Sequence, residues 1–317
     1  MARDLRHAVE LALQAPSVHN TQPWLFRLSA DEVELHADPA RHLAGTDPDH
    51  RDLLISCGAV LHHLVVAAAG LGIALEVERL PDPERRHHLA TARMVGGPPD
   101  RTEAALFGQL GRRRTDRRQY AAEPVPPARI ASLVARAAAF GVGLVPATDP
   151  GVLARMHDVL SDAATRQRHE PGYLAELLIW THRYAGTRDG VPAAAVPARP
   201  GEPALTRFPA GRLTGRQAFG PDGGLLLVLT TARDDRIDRL AAGEAASAVL
   251  LGATRVGLAT APLSQAVEQP QTRERLRRAL GMADHPQLVV RIGTPPLGSA
   301  PLPATPRRSL EAVLLRR

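Results

Sequence analysis

Two long apolar runs, each closed by a glycine and followed at once by a strand-like segment, constrain this chain more than any other feature. Over residues 51 to 69, Leu53, Cys57, Val60, Leu61, Leu64, Val65 and Ala68 recur at steps of three and four, which makes one broad helical face. Gly70 stands where a C-cap glycine belongs, and strands are expected near 73 to 79 and 89 to 95. The same order returns downstream. Residues 236 to 256 read as a helix ending at Gly257, and Gly257-Leu258-Ala259-Thr260-Ala261 parallels Gly70-Leu71-Gly72-Ile73-Ala74. Arg93-Met94-Val95-Gly96 is echoed by Arg291-Ile292-Gly293. Helices this apolar have to be buried, so the repeat implies two related α+β units packed through them.

Composition narrows the function classes. At 317 residues the chain is long enough for about two domains, each with a core. Aromatics are only 3%, so that core has to be built from Leu, Val and Ala. The net charge is +6 and all 39 basic residues are arginine, which raises anionic partners as a class. Nucleic acid is not expected, because a basic tail, an aromatic stacking platform and a C2H2 pattern are all missing. Cys57 is the only cysteine and reads as a small buried hydrophobe, so no disulfide forms within the chain. The start, Met1 to Arg6, leads into an amphipathic helix over 2 to 14 instead of a signal segment. No apolar stretch approaches the roughly 20 residues of a membrane span. A cytoplasmic protein with no membrane partner is the expectation.

After that first helix comes the loop Ala15-Pro16-Ser17-Val18-His19-Asn20-Thr21-Gln22-Pro23-Trp24. The two prolines fix the backbone, while five polar side chains stand between them. The amides of Asn20 and Gln22 offer both donors and acceptors, which suits the polar edge of a heteroaromatic ring. A plain Asx-type turn anchored by Trp24 accounts for the same residues. Strands are expected near 24 to 28 and 32 to 37.

The second dense motif is Arg112-Arg113-Arg114-Thr115-Asp116-Arg117-Arg118, after a helix from about 101 to 111. Five arginines in seven positions suit a phosphate, and equally a solvated basic helix end. Between a helix ending near Arg183 and a strand at Leu225, residues 185 to 223 hold six prolines and little apolar periodicity, so they read as a lid, binding loop or insert.

Other patterns carry less. His62-His63 and His87-His88 are adjacent pairs that do not face one centre, and Asp47-x-Asp49-His50 reads as a polar turn, so no metal is expected. Gly70-x-Gly72 and Gly141-x-Gly143 lack a third glycine, and neither Gly-x-Ser-x-Gly nor His-Glu-x-x-His occurs.

The string Pro16-Ser17-x-x-Asn20-x-Gln22-Pro23-Trp24 resembles the flavin loop of the FMN-dependent nitroreductase family. With His19 and Thr21 it is most similar to the actinobacterial Acg-type branch. That family's Arg-(Arg/His)-Ser-x-(Arg/Lys) motif falls on Arg113, Arg114, Thr115 and Arg117, followed by Tyr120 and the turn Pro124-Val125. Ala261-Pro262-Leu263-Ser264 resembles the segment that passes the reactive flavin N5. Arg307-Arg308, before a short helix at Leu310 to Leu314, resembles the last phosphate-binding arginine.

The resemblance implies an α+β nitroreductase-like fold in two pseudo-symmetric halves fused in one chain. The halves would be residues 1–100 and 101–317, with the Pro/Gly-rich insert 185–223 in the second. It implies FMN held by Pro16, Ser17, His19, Asn20 and Gln22 of the first half. Arg113, Arg114, Thr115, Arg117, Pro262, Leu263, Ser264, Arg307 and Arg308 of the second would complete the site. Because each motif occurs in one half only, one FMN site per monomeric chain is expected. Hydride would pass from NAD(P)H through the flavin to a nitro, quinone or similar small-molecule acceptor, with no catalytic side chain. The alternative is an FMN-binding or storage protein whose insert blocks the nicotinamide position.

Overall fold

The computed structural model describes residues 2–184, 186–198, 207–213, 221–296 and 298–315. The expected insert 185–223 therefore lies partly outside the described residues.

Helix α1 (Ala2–Ala12) buries Leu5, Ala8, Val9 and Ala12, the face that its three- and four-residue spacing defines. Strands β1 (Trp24–Leu28) and β2 (Glu32–Ala37) follow, then α2 (Arg51–Gly70), β3 (Ala74–Arg79) and β4 (His88–Val95). They form one antiparallel sheet in the order β1-β2-β4-β3. In β2, Val33, Leu35 and Ala37 point into the core, while Glu32 and Glu34 face outward at the period of two that a half-buried strand requires. Past the short α3 (Arg101–Ala104) come α4 (Pro127–Ala138), β5 (Gly143–Pro146), α5 (Pro150–His169) and α6 (Tyr173–Thr181). The chain closes with β6 (Leu225–Thr231), α7 (Arg236–Arg255), β7 (Ala259–Leu263), α8 (Gln265–Glu268), α9 (Pro270–Ala279), β8 (His285–Gly293) and α10 (Leu310–Val313). The second sheet is also antiparallel, in the order β5-β6-β8-β7. Its central strands β6 and β8 are buried almost throughout, β6 opening on the apolar run Leu225 to Leu229 and β8 carrying Leu288, Val289, Val290 and Ile292.

The two sheets have the same plan: two central strands, with the long helix entered from one of them and left toward the opposite edge strand. Helices α2 and α7 pack directly against each other. Helix α2 is long and apolar enough to cross a membrane by composition, yet 89% of its most apolar window is buried inside the protein. Two glycines let the helices touch. A Cβ on Gly58 would stand 2.0 Å from the Leu240 carbonyl oxygen, and one on Gly243 would stand 2.1 Å from that of Ile55.

Two local expectations are corrected. The residue that stops α2 is Gly72, whose φ of +81° matches the +77° of Gly257, whereas Gly70 is still helical. Gly70 has a different reason to be small, since a Cβ there would meet the Phe107 ring at 2.0 Å. The expected helix from 101 to 111 is only the four residues of α3 and a 3-10 turn, Phe107–Gln109. That tighter turn seats Phe107 against α2.

Candidate functional site

The loop after α1 is held in an uncommon conformation. His19, Asn20 and Gln22 all have positive φ, at 45°, 55° and 52°. Hydrogen bonds fix it on both sides: the Ser17 hydroxyl accepts from the Gln22 amide at 2.9 Å, and the Val18 amide donates to Ser56 Oγ of α2 at 3.1 Å. The side-chain amides of Asn20 and Gln22 are engaged by protein. Asn20 Nδ2 donates to the carbonyls of Gly190 and Pro306, both at 3.0 Å, and Gln22 Nε2 donates to that of Arg188 at 2.8 Å.

The C-terminal segment reaches this loop from far away in sequence. Leu314 bridges to Phe26 on β1, and the Leu315 amide donates to the Phe26 carbonyl at 2.8 Å. That docking delivers Arg307, whose Nη1 donates to Asn20 Oδ1 at 3.0 Å, and Arg308, whose amide donates to Gln22 Oε1 at 2.8 Å. The arginine-rich segment arrives from a third direction. It runs beside the edge strand β7, with Thr115 bridged to Thr260 and the Asp116 amide donating to the Thr260 carbonyl at 2.8 Å.

These segments enclose two cavities that share Pro16, Ser17, His19, Thr115 and Arg117. The smaller is lined further by Asn20, Arg113, Arg114 and Arg307, together with Gly190, Val191 and Ala195 of the insert. The larger, with about 880 Å³ of space partly open to solvent, is lined by Pro262, Leu263 and Ser264 and by apolar residues of α2 and α7. Twelve of the fourteen expected site residues thus line one cavity or the other. Gln22 and Arg308 line neither: Gln22 is buried in loop contacts, and Arg308 faces Asp38 at 3.4 Å.

Charge in the smaller cavity is unbalanced. Arg113 is buried, and burial together with Arg307 and Arg114 pushes its pKa down to about 9. Burial lowers Arg117 and Arg307 to about 10 each, aided by Arg207 and Arg114 respectively. Among the described residues, Arg113 Nε and Nη1, Arg114 Nε and Arg307 Nε have no hydrogen-bond partner. Buried cations without acceptors are costly unless an anion enters.

In the larger cavity the insert contributes Arg207 and Phe208. Arg207 Nη2 pairs with the buried Glu268 at 2.5 Å and donates to Ser264 Oγ at 3.1 Å, and its Nη1 lies 3.2 Å from His19 Nε2. Phe208 meets the His19 ring edge-on, and the Arg117 guanidinium lies over the Phe208 ring at 4.7 Å. Burial, then Arg207 and Arg117, hold His19 well below its usual pKa, so its imidazole is neutral.

The family model described as the nitroreductase family matches residues 110–294. The chain belongs to the nitroreductase family. It is 42% identical to "Putative NAD(P)H nitroreductase Rv3131" of Mycobacterium tuberculosis H37Rv, over 99% of this chain and 91% of that protein. To "Putative NAD(P)H nitroreductase acg" of the same strain it is 34% identical, over 98% and 94%. Among solved structures it is similar to nitroreductase NfnB from sphigopyxis sp. strain HMH, at 17% identity and a TM-score of 0.45, over 67% of this chain and 98% of that one.

This nitroreductase-family chain also has cavity-lining residues that the motifs do not reach. Asp52 and Ser56 line the larger cavity from the first turns of α2. Their signal in the sequence is a polar pair four residues apart on a mostly apolar helix. Arg207 and Phe208 sit in the low-periodicity insert, where no pattern marks them. Away from these cavities, β2 and β4 bring Glu34, His36 and His88 together across the sheet. Their ligand atoms lie within 4.8 Å of one another, although Arg27 holds the Glu34 carboxylate at 2.8 Å.

Proposed function

We propose that the chain is an FMN-dependent oxidoreductase that passes hydride from NAD(P)H to a nitro, quinone or similar unsaturated small-molecule acceptor. The observation that carries this reading is the group Arg113, Arg114, Arg117 and Arg307 at the smaller cavity: Arg113, Arg114 and Arg307 keep N–H groups without a partner, and no acid stands among the described residues that line it. A phosphate dianion supplies both the charge and the acceptors, and the guanidinium fork matches its oxygens. The larger cavity joins this site and is bounded by Ile55, Ala59, Ala246, Leu250 and Leu288, with hydroxyls at Ser17 and Ser264, which suits a flat ring with polar edges. The residues present therefore fit FMN.

In this reading Arg113, Arg114, Arg117 and Arg307 hold the phosphate, and Ser17 and Thr115 face the ribityl chain. Residues 16–19 and Ala261–Ser264 orient the ring. Bound there, FMN supplies two-electron hydride chemistry, while the protein contributes position and exclusion of water. The mycobacterial relatives named as NAD(P)H nitroreductases support the choice of reductant. The same reading takes 1–100 and 101–317 as two fused nitroreductase-like halves sharing one flavin site in a monomer. The equal strand orders of the two sheets support it.

A second reading is favoured by Arg207 and Phe208: a flavin-binding protein whose insert keeps the nicotinamide out. The ion pair from Arg207 to Glu268 would fasten that closure. An anaerobic absorbance experiment separates the two. Rapid bleaching of the flavin band of FMN-loaded protein by NADPH or NADH supports the oxidoreductase. A band that persists and bleaches only with dithionite supports the binding protein, and failure to retain FMN sinks both.

A further inference from the structure

Helix α2 puts one carboxyl group into the larger cavity. Asp52, the second residue of α2, is 3% exposed, and its Oδ2 has no hydrogen-bond partner among the described residues. It lines the same cavity as Pro262, Leu263 and Ser264. An acid at the first turn of a helix is ordinarily kept ionised by the helix dipole. Here burial and two neighbouring acids oppose that field.

The groups that face Asp52 come from several elements. Glu268 on α8 and Asp47 from the turn before α2 repel its charged form. Arg207 of the insert and the Ser264 hydroxyl at the end of β7 favour that form. Burial is the largest influence, and its pKa is raised well above the usual carboxylate range. Asp47 is also pushed up, to about 7, mainly by burial. A carboxylic acid kept neutral in an apolar cavity is a proton donor.

We infer that Asp52 is the acid that protonates the acceptor during its reduction, a catalytic residue of a reaction that otherwise uses no side-chain chemistry. The inference rests on the oxidoreductase reading above. For a quinone acceptor, hydride adds two electrons and one hydrogen, leaving an oxyanion. The Asp52 O–H bond breaks and its proton goes to that oxygen, giving the hydroquinone and the Asp52 carboxylate. Water returns a proton to Asp52 before the next turnover. NAD(P)H is oxidised and the quinone reduced, with one proton taken from solvent. General acids of this kind are typically worth about 10²–10⁴ in rate.

The test compares a benzoquinone with ferricyanide, which takes electrons without a proton, in the FMN-loaded full chain. Asp52→Asn is expected to lower the ratio of quinone to ferricyanide turnover at least ten-fold and to remove the basic limb of the quinone pH profile. An unchanged ratio in a variant that still retains FMN overturns the inference. An infrared measurement needs no cofactor. The protonated-carboxyl band at pH 7 should be larger in the native chain than in Asp52→Asn, and equal bands overturn the assignment. If native protein holds FMN but neither acceptor is reduced, the oxidoreductase reading fails while the infrared result still reports on Asp52. Should Asp52→Asn not fold, Asp52→Ser is read the same way.

Discussion

Gly58 and Gly243 meet where α2 crosses α7, and each is the eighth residue of a twenty-residue helix. A Cβ built on either falls 2.9 Å from the other's Cα, so the contact is self-complementary, as at a two-fold axis. The glycines that end the helices, Gly72 and Gly257, stand at the same remove from this crossing.

Gly58→Ala should therefore destabilise the fold strongly, because the atom it meets is the Leu240 carbonyl oxygen of a rigid helix. Overpacking of this kind costs about 1–3 kcal/mol or more. Chemical denaturation of the two proteins measures it, and a loss below about 0.5 kcal/mol would mean that the helices slide apart freely.

Arg113→Met should have opposite effects on stability and on binding. Without ligand it removes a buried cation that has two unpartnered nitrogens, and stability should rise by on the order of 1–4 kcal/mol. FMN affinity should fall by about 1.5–3 kcal/mol, the worth of a hydrogen bond to a charged group. Thermal shifts with and without FMN read both signs; a loss of stability without ligand would place Arg113 in a structural role.

Asp47 makes stability depend on pH with a definite sign. Its folded pKa, about 7, lies above the ordinary value of 3.8, so the folded state holds a proton that the unfolded chain releases between them. The stability this contributes is present below pH 3.8 and is lost as pH rises through about 7. The Asp52 and Leu53 amides donate to different oxygens of Asp47, so Asn keeps an acceptor for one of them, a loss that does not change with pH. Asp47→Asn should thus gain on the native protein by roughly 1.4 kcal/mol per pH unit across that window. A stability difference that stays flat in denaturant titrations from pH 4 to 7 would contradict the shift.

Phe208→Ala should speed cofactor exchange. The ring closes the larger cavity between His19 and Arg117, and its loss leaves both side chains without that cover. Stopped-flow fluorescence should find FMN released roughly ten-fold faster, as for about 1.4 kcal/mol of lost contact. An unchanged rate would show that Phe208 is no part of the closure.

Much of this molecule was legible in order along the chain. The apolar periodicity of α2 and α7, the loop from Pro16 to Trp24 and the arginines from Arg112 to Arg118 are local patterns, and local patterns survive without coordinates. They pointed to two long buried helices, each followed by a strand, and both helices are present. What the patterns could not carry was contact between distant segments. Arg307 and Arg308 are neighbours in sequence, yet only Arg307 lines a cavity, because the docking of Leu314 and Leu315 on β1 sets how the segment turns. Gln22 matched the flavin-loop motif, but its amide is used to hold residue 188 and the C-terminal segment.

The sequence by itself determined where the two long apolar helices lie and that arginines crowd positions 112–118, since apolar periodicity and charge density are properties of short windows. Tertiary structure decided the rest: that Gly58 and Gly243 are the glycines of the helix crossing, that Glu268 and Asp47 surround Asp52, and that Arg207 reaches across to both His19 and Glu268. These depend on which side chains burial brings together, and burial sets both the space left for a Cβ and the protonation state of an acid.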